Sequence, residues 1–216
     1  MYRALVVAVL ALAPAGRAAP VPKHLMPKEE PLFLSVRVGD RFVLVHNGQE
    51  FVTTIKAVER AGGGYKVVQS GKRPDGTVVE QTMAVSPAGV RTVRYDGQDY
   101  DEPHEWLRLP HVANNKWTSK AGGATVYHYR TVDWEDLDLP YGKVRALRVE
   151  RTTGGANAAV GVYYWAHGLG CVKWSYGGEG RELKAYLPAA GPAEAPAPRP
   201  VGAGRGPKAP IPAERP

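Results

Sequence analysis

Short β-prone runs closed by turn residues fill the middle of the sequence, and this rhythm constrains the fold more than any other feature. Each run is rich in Val, Tyr, Thr or Phe and ends near Gly, Asn or Asp. Asn47-Gly48 and Asp96-Gly97 are typical of two-residue hairpin turns. Because the connections are too short for crossover helices, we predict antiparallel neighbours in a meander. The runs lie at 40–46, 51–60, 64–70, 76–85, 89–97, 115–120, 124–131, 144–152, 159–168, 169–176 and 181–187.

The number of runs determines the expected architecture. About ten or eleven strands in one domain must curl or close, since a long flat sheet is unusual. No segment of 31–187 shows the periodicity and caps of a helix. We therefore predict a mainly β fold, in which an antiparallel meander forms a curved sheet or open half-barrel. The polar stretch 98–115 is predicted to be a loop.

The two ends of the chain differ in composition from the middle. Residues 1–18 have the pattern of a secretory signal peptide, with a basic residue, an apolar run and small residues before the cleavage site. An uncleaved anchor is the alternative, but the apolar run is about half of the roughly 20 residues that a spanning helix needs. A cleaved signal predicts a secreted or periplasmic protein of the bacterial cell envelope without a transmembrane segment. We expect a lead-in at 19–30, an antiparallel β domain at 31–187 and a disordered Pro/Ala-rich tail at 188–216.

The charged and metal-ligating residues argue against several classes of site. The net charge is +7, but Lys and Arg alternate with acids along the predicted domain, so we predict no nucleic-acid binding. Cys171 is the only cysteine, which excludes an intramolecular disulfide. The six histidines have no metal-ligand spacing, and the acidic groups at 99–105 and 134–138 fit solvated turns. We predict neither a metal nor a cofactor.

The stretch 163–177, YYWAHGLGCVKWSYG, carries the best candidate for chemistry. In a catalytic interpretation, Cys171 is a nucleophile and His167 is its base. The alternating aromatics on both sides of Gly168 and Gly170 instead indicate a hairpin with cross-strand aromatic pairs. No third group that would orient the histidine is evident. We therefore predict a hairpin without catalytic residues and a protein that is not an enzyme.

Four stretches together carry a resemblance to a known group of proteins. YYWAHGLGCVK resembles the closing hairpin of a group of uncharacterised β-rich bacterial secreted proteins and lipoproteins, and RVGDRFVL resembles the opening strand of that group. The order and spacing of two further stretches, WLRLPHVANNKWTSK and LDLPYGKVRALRVE, are also similar. The resemblance implies a curved antiparallel sheet like that of the lipoprotein-localisation (LolA/LolB-like) carriers, whose concave face holds an acyl chain.

These observations favour an exported, non-catalytic protein that binds an apolar or amphipathic ligand, such as a lipid, or an envelope protein on its concave face. A structural or interaction protein of the envelope without a small-molecule site is the first alternative, and an exported hydrolase is the second. The identity of the ligand or partner stays open. The predicted ligand-binding residues are Phe51, Ile55, Tyr127, Tyr163 and Trp165.

Overall fold

The computed structural model describes most of the predicted β domain. The predicted signal peptide and lead-in lie outside the described residues, and so does the predicted tail beyond residue 190. The described part contains no helix, and so none that is long and apolar enough to cross a bilayer. The described ranges are 32–73, 75–122, 125–154 and 158–190.

Twelve strands make up the fold, which confirms the prediction of a mainly β protein. Two-residue turns close several of the hairpins, among them β1–β2 and β5–β6, and the predicted hairpin turns adopt the left-handed backbone that they require. Asn47 and Gly48 have φ of 48° and 77°, and Asp96 and Gly97 have φ of 48° and 80°. The strands are β1 Arg41–His46, β2 Gln49–Ala61, β3 Gly64–Lys72, β4 Val78–Ser86, β5 Gly89–Tyr95, β6 Gln98–Arg108, β7 Lys116–Lys120, β8 Val126–Leu139, β9 Gly142–Thr152, β10 Gly161–Ala166, β11 Gly170–Tyr176 and β12 Glu179–Leu187.

The strands form one antiparallel sheet that is rolled into a nearly closed barrel with a single seam. Every strand pairs with the next one along the chain except β6, which does not pair with β7. The first and last strands, β1 and β12, pair with each other and close the barrel on the opposite side. The curved sheet predicted from the number of runs is therefore confirmed, and it closes further than a half-barrel.

The prediction of a loop at 98–115 is wrong over its first eleven residues, which form β6. Charged side chains and Pro103 hide the alternation that marks a strand, because the first half of β6 is mostly exposed and only its second half is buried. Proline is tolerated because β6 lies at an edge of the sheet, where a missing N–H costs no ladder bond. The strand count is consequently twelve rather than ten or eleven.

Side chains bridge the seam between β6 and β7, where backbone pairing is missing. Ser119 Oγ accepts a hydrogen bond from the Glu105 N–H at 2.7 Å, and the indole N–H of Trp117 donates to the Glu105 carbonyl at 3.1 Å. His104 Nδ1 lies 3.0 Å from the Lys120 carbonyl oxygen. These bonds occupy edge groups that would otherwise be free to pair with another chain.

The interior of the barrel is filled by apolar side chains. Residues paired across neighbouring strands lie on the same face of the sheet. Along most strands, side chains that point into the barrel alternate with exposed ones. Residues of this packed core that are at most 1% exposed include Ile55, Val67, Val90, Leu107, Leu147, Val149 and Leu183.

The segment just before β1 packs against the turn between β10 and β11. The Gly168 N–H donates to the Leu32 carbonyl at 3.0 Å, and the Phe33 ring lies 4.1 Å from the His167 ring. A Cβ at Gly170 would lie 2.9 Å from Leu34 Cδ1, and Gly170 has φ of 80°. The positive φ of the turn thus favours glycine at this position, and the Leu34 side chain packs directly against it.

Candidate ligand-binding site

Aromatic and arginine side chains collect where β2, β8, β10 and β12 begin and where β9 and β11 end, and Trp106 reaches this region from the second half of β6. We call this the aromatic end. Because neighbouring strands are antiparallel, residues early in β8, β10 and β12 meet residues late in β9 and β11 there. The aromatic end comprises Phe51, Trp106, Tyr127, Arg151, Tyr163, Trp174, Tyr176 and Arg181.

Four aromatic rings surround the guanidinium group of Arg151. Its Cζ lies 4.8 Å from the ring centroid of Tyr127 and 5.0 Å from that of Tyr163. The rings of Tyr176 and Trp106 follow at 5.5 Å and 5.7 Å. Such contacts attract a cation through the electron-rich ring faces. Arg151 is partly buried, and within the described ranges no carboxylate forms an ion pair with it.

Strand alternation explains why Arg151 has no acidic partner even though an acid precedes it. Glu150 points to the opposite face of β9, where it forms ion pairs with Arg130 at 2.5 Å and Arg148 at 2.8 Å. Arg151 shares its face with Val149, which is fully buried. A cation therefore occupies a position in the apolar phase of its strand.

Arg181 is the second cation of the aromatic end. Its Cζ lies 3.5 Å from the ring centroid of Phe51 and 5.6 Å from that of Trp174. Burial lowers the pKa of Arg181, and the positive charge of Arg73 lowers it further. The Trp174 ring stacks on Tyr163 with centroids 6.5 Å apart, so an aromatic layer connects the two arginines.

The Tyr163 hydroxyl is neutral over the physiological pH range. Burial raises the pKa of Tyr163 to about 12, although the nearby charge of Arg151 acts in the opposite direction. Tyr163 therefore provides no negative charge to balance Arg151. It provides a ring face and a polar hydroxyl instead.

A buried polar cluster lies beneath the Arg151 cage. His104 is 1% exposed, and burial lowers its pKa. Its Nδ1 faces the Lys120 carbonyl, which can only accept, so Nδ1 carries the proton and Nε2 accepts from the Tyr129 hydroxyl at 2.8 Å. The Trp106 indole N–H donates to Thr92 Oγ1 at 2.9 Å. The cluster is internally hydrogen-bonded and fixes the rings above it.

The structure divides the five residues predicted to bind a ligand into two groups. Phe51, Tyr127 and Tyr163 lie at the aromatic end, where each contacts an arginine. Ile55 and Trp165 are 1% and 4% exposed and pack within the core. Their shared role in binding a ligand stays a prediction.

Sequence reasoning missed the two arginines that distinguish the aromatic end. The signal was present in the alternation of the strands. Arg151 continues the buried series of Leu147 and Val149 at two-residue spacing, and Arg181 precedes the buried Leu183 by two residues. A charged residue in the apolar phase of a strand is unusual and marks a position that needs an explanation.

The stretch 163–177 forms the predicted hairpin of β10 and β11. The Cys171 thiol donates a hydrogen bond to the Lys173 carbonyl at 3.3 Å, and burial raises the pKa of this thiol to about 12. The His167 ring packs against Phe33 and Trp134. In the part of the chain that the structure describes, no hydrogen bond joins Cys171 to His167 and no three acidic, His or Cys residues are grouped as metal ligands require.

Two surface recesses lie outside the aromatic end. One has a volume of about 400 Å³ and is lined by Arg108, Lys116, Trp117, Thr118, His128 and Tyr129. The other has a volume of about 470 Å³ and is lined by Asp136, Leu137, Asp138, Lys143, Val144 and Arg145. In the first recess Arg108 pairs with Glu105, whose carboxylate lies 2.5 Å away and also pairs with Arg91.

Comparisons with known proteins reveal similarity at the level of the fold. No protein-family model matches the chain, and no curated protein matches it. A putative exported protein with YmcC-like fold from Bacteroides fragilis has a TM-score of 0.52 at 11% identity, with 73% of this chain and 99% of that chain covered. The chain has a fold similar to the YmcC-like fold.

A second solved structure gives a weaker match. A putative lipoprotein from Parabacteroides distasonis has a TM-score of 0.48 at 11% identity, with 72% of this chain and 98% of that chain covered. The more specific resemblance to the lipoprotein-localisation carriers stays a prediction.

Proposed function

We propose that this chain is an exported, non-catalytic protein of the bacterial cell envelope that binds an amphipathic ligand at its aromatic end. The signal-peptide pattern of residues 1–18 supports export. The exported protein with YmcC-like fold is similar in architecture, which is compatible with the same compartment.

The concentration of accessible aromatic rings at one end of the barrel carries the proposal. Tyr176 is 38% exposed, and Phe51, Tyr127 and Trp174 are partly exposed beside it. Rings that have an apolar body and a polar edge are favoured where a surface meets an amphipathic molecule. Below this layer the core is filled by buried side chains, so the ligand rests on the rings rather than deep inside the barrel.

Native mass spectrometry of the purified mature chain tests the proposal first. A co-purifying molecule, or stoichiometric uptake of an added decyl-chain amphiphile, is the expected result. An apo mass that persists with every amphiphile added contradicts the proposal and favours the alternative of an envelope scaffold or a protein-binding module.

A pair of tyrosine variants localises the binding. Tyr176→Ala removes an exposed ring from the aromatic end, whereas Tyr65→Ala removes a partly buried ring near the opposite end, where β3 begins. We expect only Tyr176→Ala to weaken amphiphile binding, by about threefold to tenfold for the loss of one ring contact. Equal weakening by both variants contradicts the proposed location.

A further inference from the structure

We propose that the ligand carries an oxyanion, a carboxylate or a phosphate ester, which Arg151 and Arg181 bind at the aromatic end. This inference rests on the proposed function and specifies the polar group of the amphiphile. It follows from the placement of two partly buried guanidinium groups that have no carboxylate partner among the described residues.

Basic side chains elsewhere in the protein differ from Arg151 and Arg181 in their ion pairing. Elsewhere in the described ranges, basic side chains without an ion pair, such as Arg41, Lys66 and Arg145, are exposed, whereas partly buried ones such as Arg148 and Lys173 pair with an acid. Lys173, beside Trp174 in β11, pairs with Glu182 at 2.6 Å on the other face of the sheet. Neither of the acids next to the arginines, Glu150 and Glu182, therefore serves the aromatic end.

The remaining charges near Arg181 leave a positive balance. Arg73 acts on Arg181 as a like charge, and Glu179 acts as an opposite one without forming an ion pair with it. Glu179 is exposed, so solvent screens its influence. The repulsion between Arg73 and the partly desolvated Arg181 is relieved when an anion binds. An anionic headgroup provides this compensation, and a neutral headgroup does not.

The cation–π geometry leaves hydrogen-bond donors for a ligand. The Phe51 ring, 3.5 Å from Arg181 Cζ, contacts the face of that guanidinium, whereas the five N–H donors lie in the guanidinium plane. Burial raises the pKa of Tyr129, and Arg151 acts in the opposite direction through its charge and a side-chain hydrogen bond. A single hydroxyl cannot occupy all five donors of the Arg151 guanidinium. A planar fork of free N–H groups matches the two oxygens of a carboxylate or phosphate.

The rings determine what is attached to the oxyanion. The Arg151 cage includes Tyr127 and Tyr176, and the Phe51 ring covers Arg181, so any anion that reaches an arginine brings its neighbouring atoms onto an aromatic surface. A free inorganic anion leaves this surface uncovered. An aliphatic chain attached to the anion buries apolar area against the rings and gains affinity from it. A single-chain anionic amphiphile therefore satisfies both parts of the site.

Calorimetric titration of the purified mature chain tests the inference with four probes below their micelle concentrations: decanoate, decyl phosphate, neutral decyl glucoside and inorganic phosphate. Decanoate and decyl phosphate distinguish a carboxylate from a phosphate source, and inorganic phosphate tests the anion alone. We expect the charged amphiphiles to bind at least tenfold more tightly than decyl glucoside, since a hydrogen bond to a charged group is worth about a factor of ten or more.

Variants that remove a positive charge show which arginines bind the anionic group. Arg151→Gln and Arg181→Gln each weaken the preferred charged amphiphile by about tenfold and change decyl glucoside binding less than twofold. Arg60→Gln is the matched control, because it removes the same charge from an exposed position near the opposite end of the barrel. Circular dichroism verifies that each variant folds, and if Arg151→Gln does not, Arg181→Gln carries the test.

Each outcome separates the inference from the proposed function. If charged and neutral amphiphiles bind equally, and the Arg151 and Arg181 variants bind them unchanged, the inference of an oxyanion ligand is wrong. The proposed function then still stands. Equal weakening by Arg60→Gln indicates general charge attraction and also overturns the inference. If inorganic phosphate binds as tightly as decyl phosphate, the alkyl chain contributes no affinity and the inference of an amphipathic ligand is wrong. If no amphiphile binds, the proposed function itself fails.

Discussion

A single hydroxyl group holds a critical part of the seam, and its removal gives a quantitative test of how the barrel closes. Ser119 is 8% exposed, and its Oγ accepts the Glu105 N–H at 2.7 Å. Ser119→Ala keeps the backbone and Cβ but leaves a buried N–H without an acceptor. An unsatisfied buried donor costs about 1–3 kcal/mol. We therefore expect the free energy of unfolding to fall by about 2 kcal/mol.

Urea denaturation followed by tryptophan fluorescence measures this change, and thermal unfolding provides a second reading. For a domain of this size, about 2 kcal/mol lowers the midpoint temperature by about 4–8 °C. Ser175→Ala is the matched control, because the same atoms are removed from an exposed position in β11. A surface change of this kind stays within about 0.5 kcal/mol. If Ser119→Ala is no more destabilising than Ser175→Ala, side-chain bonds do not close the seam.

Three further predictions concern the turns, the buried histidine and the thiol. Gly89 has φ of 140°, and Gly89→Ala places a Cβ against the Leu107 carbonyl, so we expect the free energy of unfolding to fall by more than about 3 kcal/mol. Gly48→Ala has open space around its Cβ and should cost about 1 kcal/mol, and similar urea midpoints for the two variants would refute the clash. Burial lowers the folded-state pKa of His104, so the unfolded chain binds the extra proton and the protein should lose stability as the pH drops below about 6.5. The urea midpoints at about pH 7 and about pH 5 should differ less in His104→Gln than in the unmodified protein, and an equal difference excludes His104 as the cause. Desolvation raises the pKa of the Cys171 thiol to about 12, so iodoacetamide at pH 8 should label the denatured chain far faster than the folded one. Equally fast labelling contradicts the raised pKa.

Local sequence chemistry predicted much of the strand pattern, because turns and alternation are written in neighbouring residues. Asn47-Gly48 specifies a left-handed turn by its own backbone preferences, and the aromatics around Gly168 and Gly170 specify a hairpin in the same way. The first strand of the seam was missed for the same reason. Its stabilising bonds come from Ser119 and Trp117 on β7, which local alternation does not report.

The candidate site was predicted less completely than the fold. Phe51, Tyr127 and Tyr163 were predicted from apolar periodicity, and the structure brings each of them against an arginine. Arg151 and Arg181 were not predicted, since a search for apolar lining passes over charged residues. Their environment depends on which strands meet across the barrel, and this pairing is a property of the closed sheet.

Hydrogen–deuterium exchange with and without a bound amphiphile tests most directly whether the aromatic end is the ligand site. Binding of the tightest decyl amphiphile should slow exchange in segments 126–129, 149–152 and 174–181, which carry the rings and arginines. The turns at the opposite end, at 86–89 and 139–142, should exchange at unchanged rates. Protection confined to those opposite turns, or to the recess beside the seam, would contradict the account.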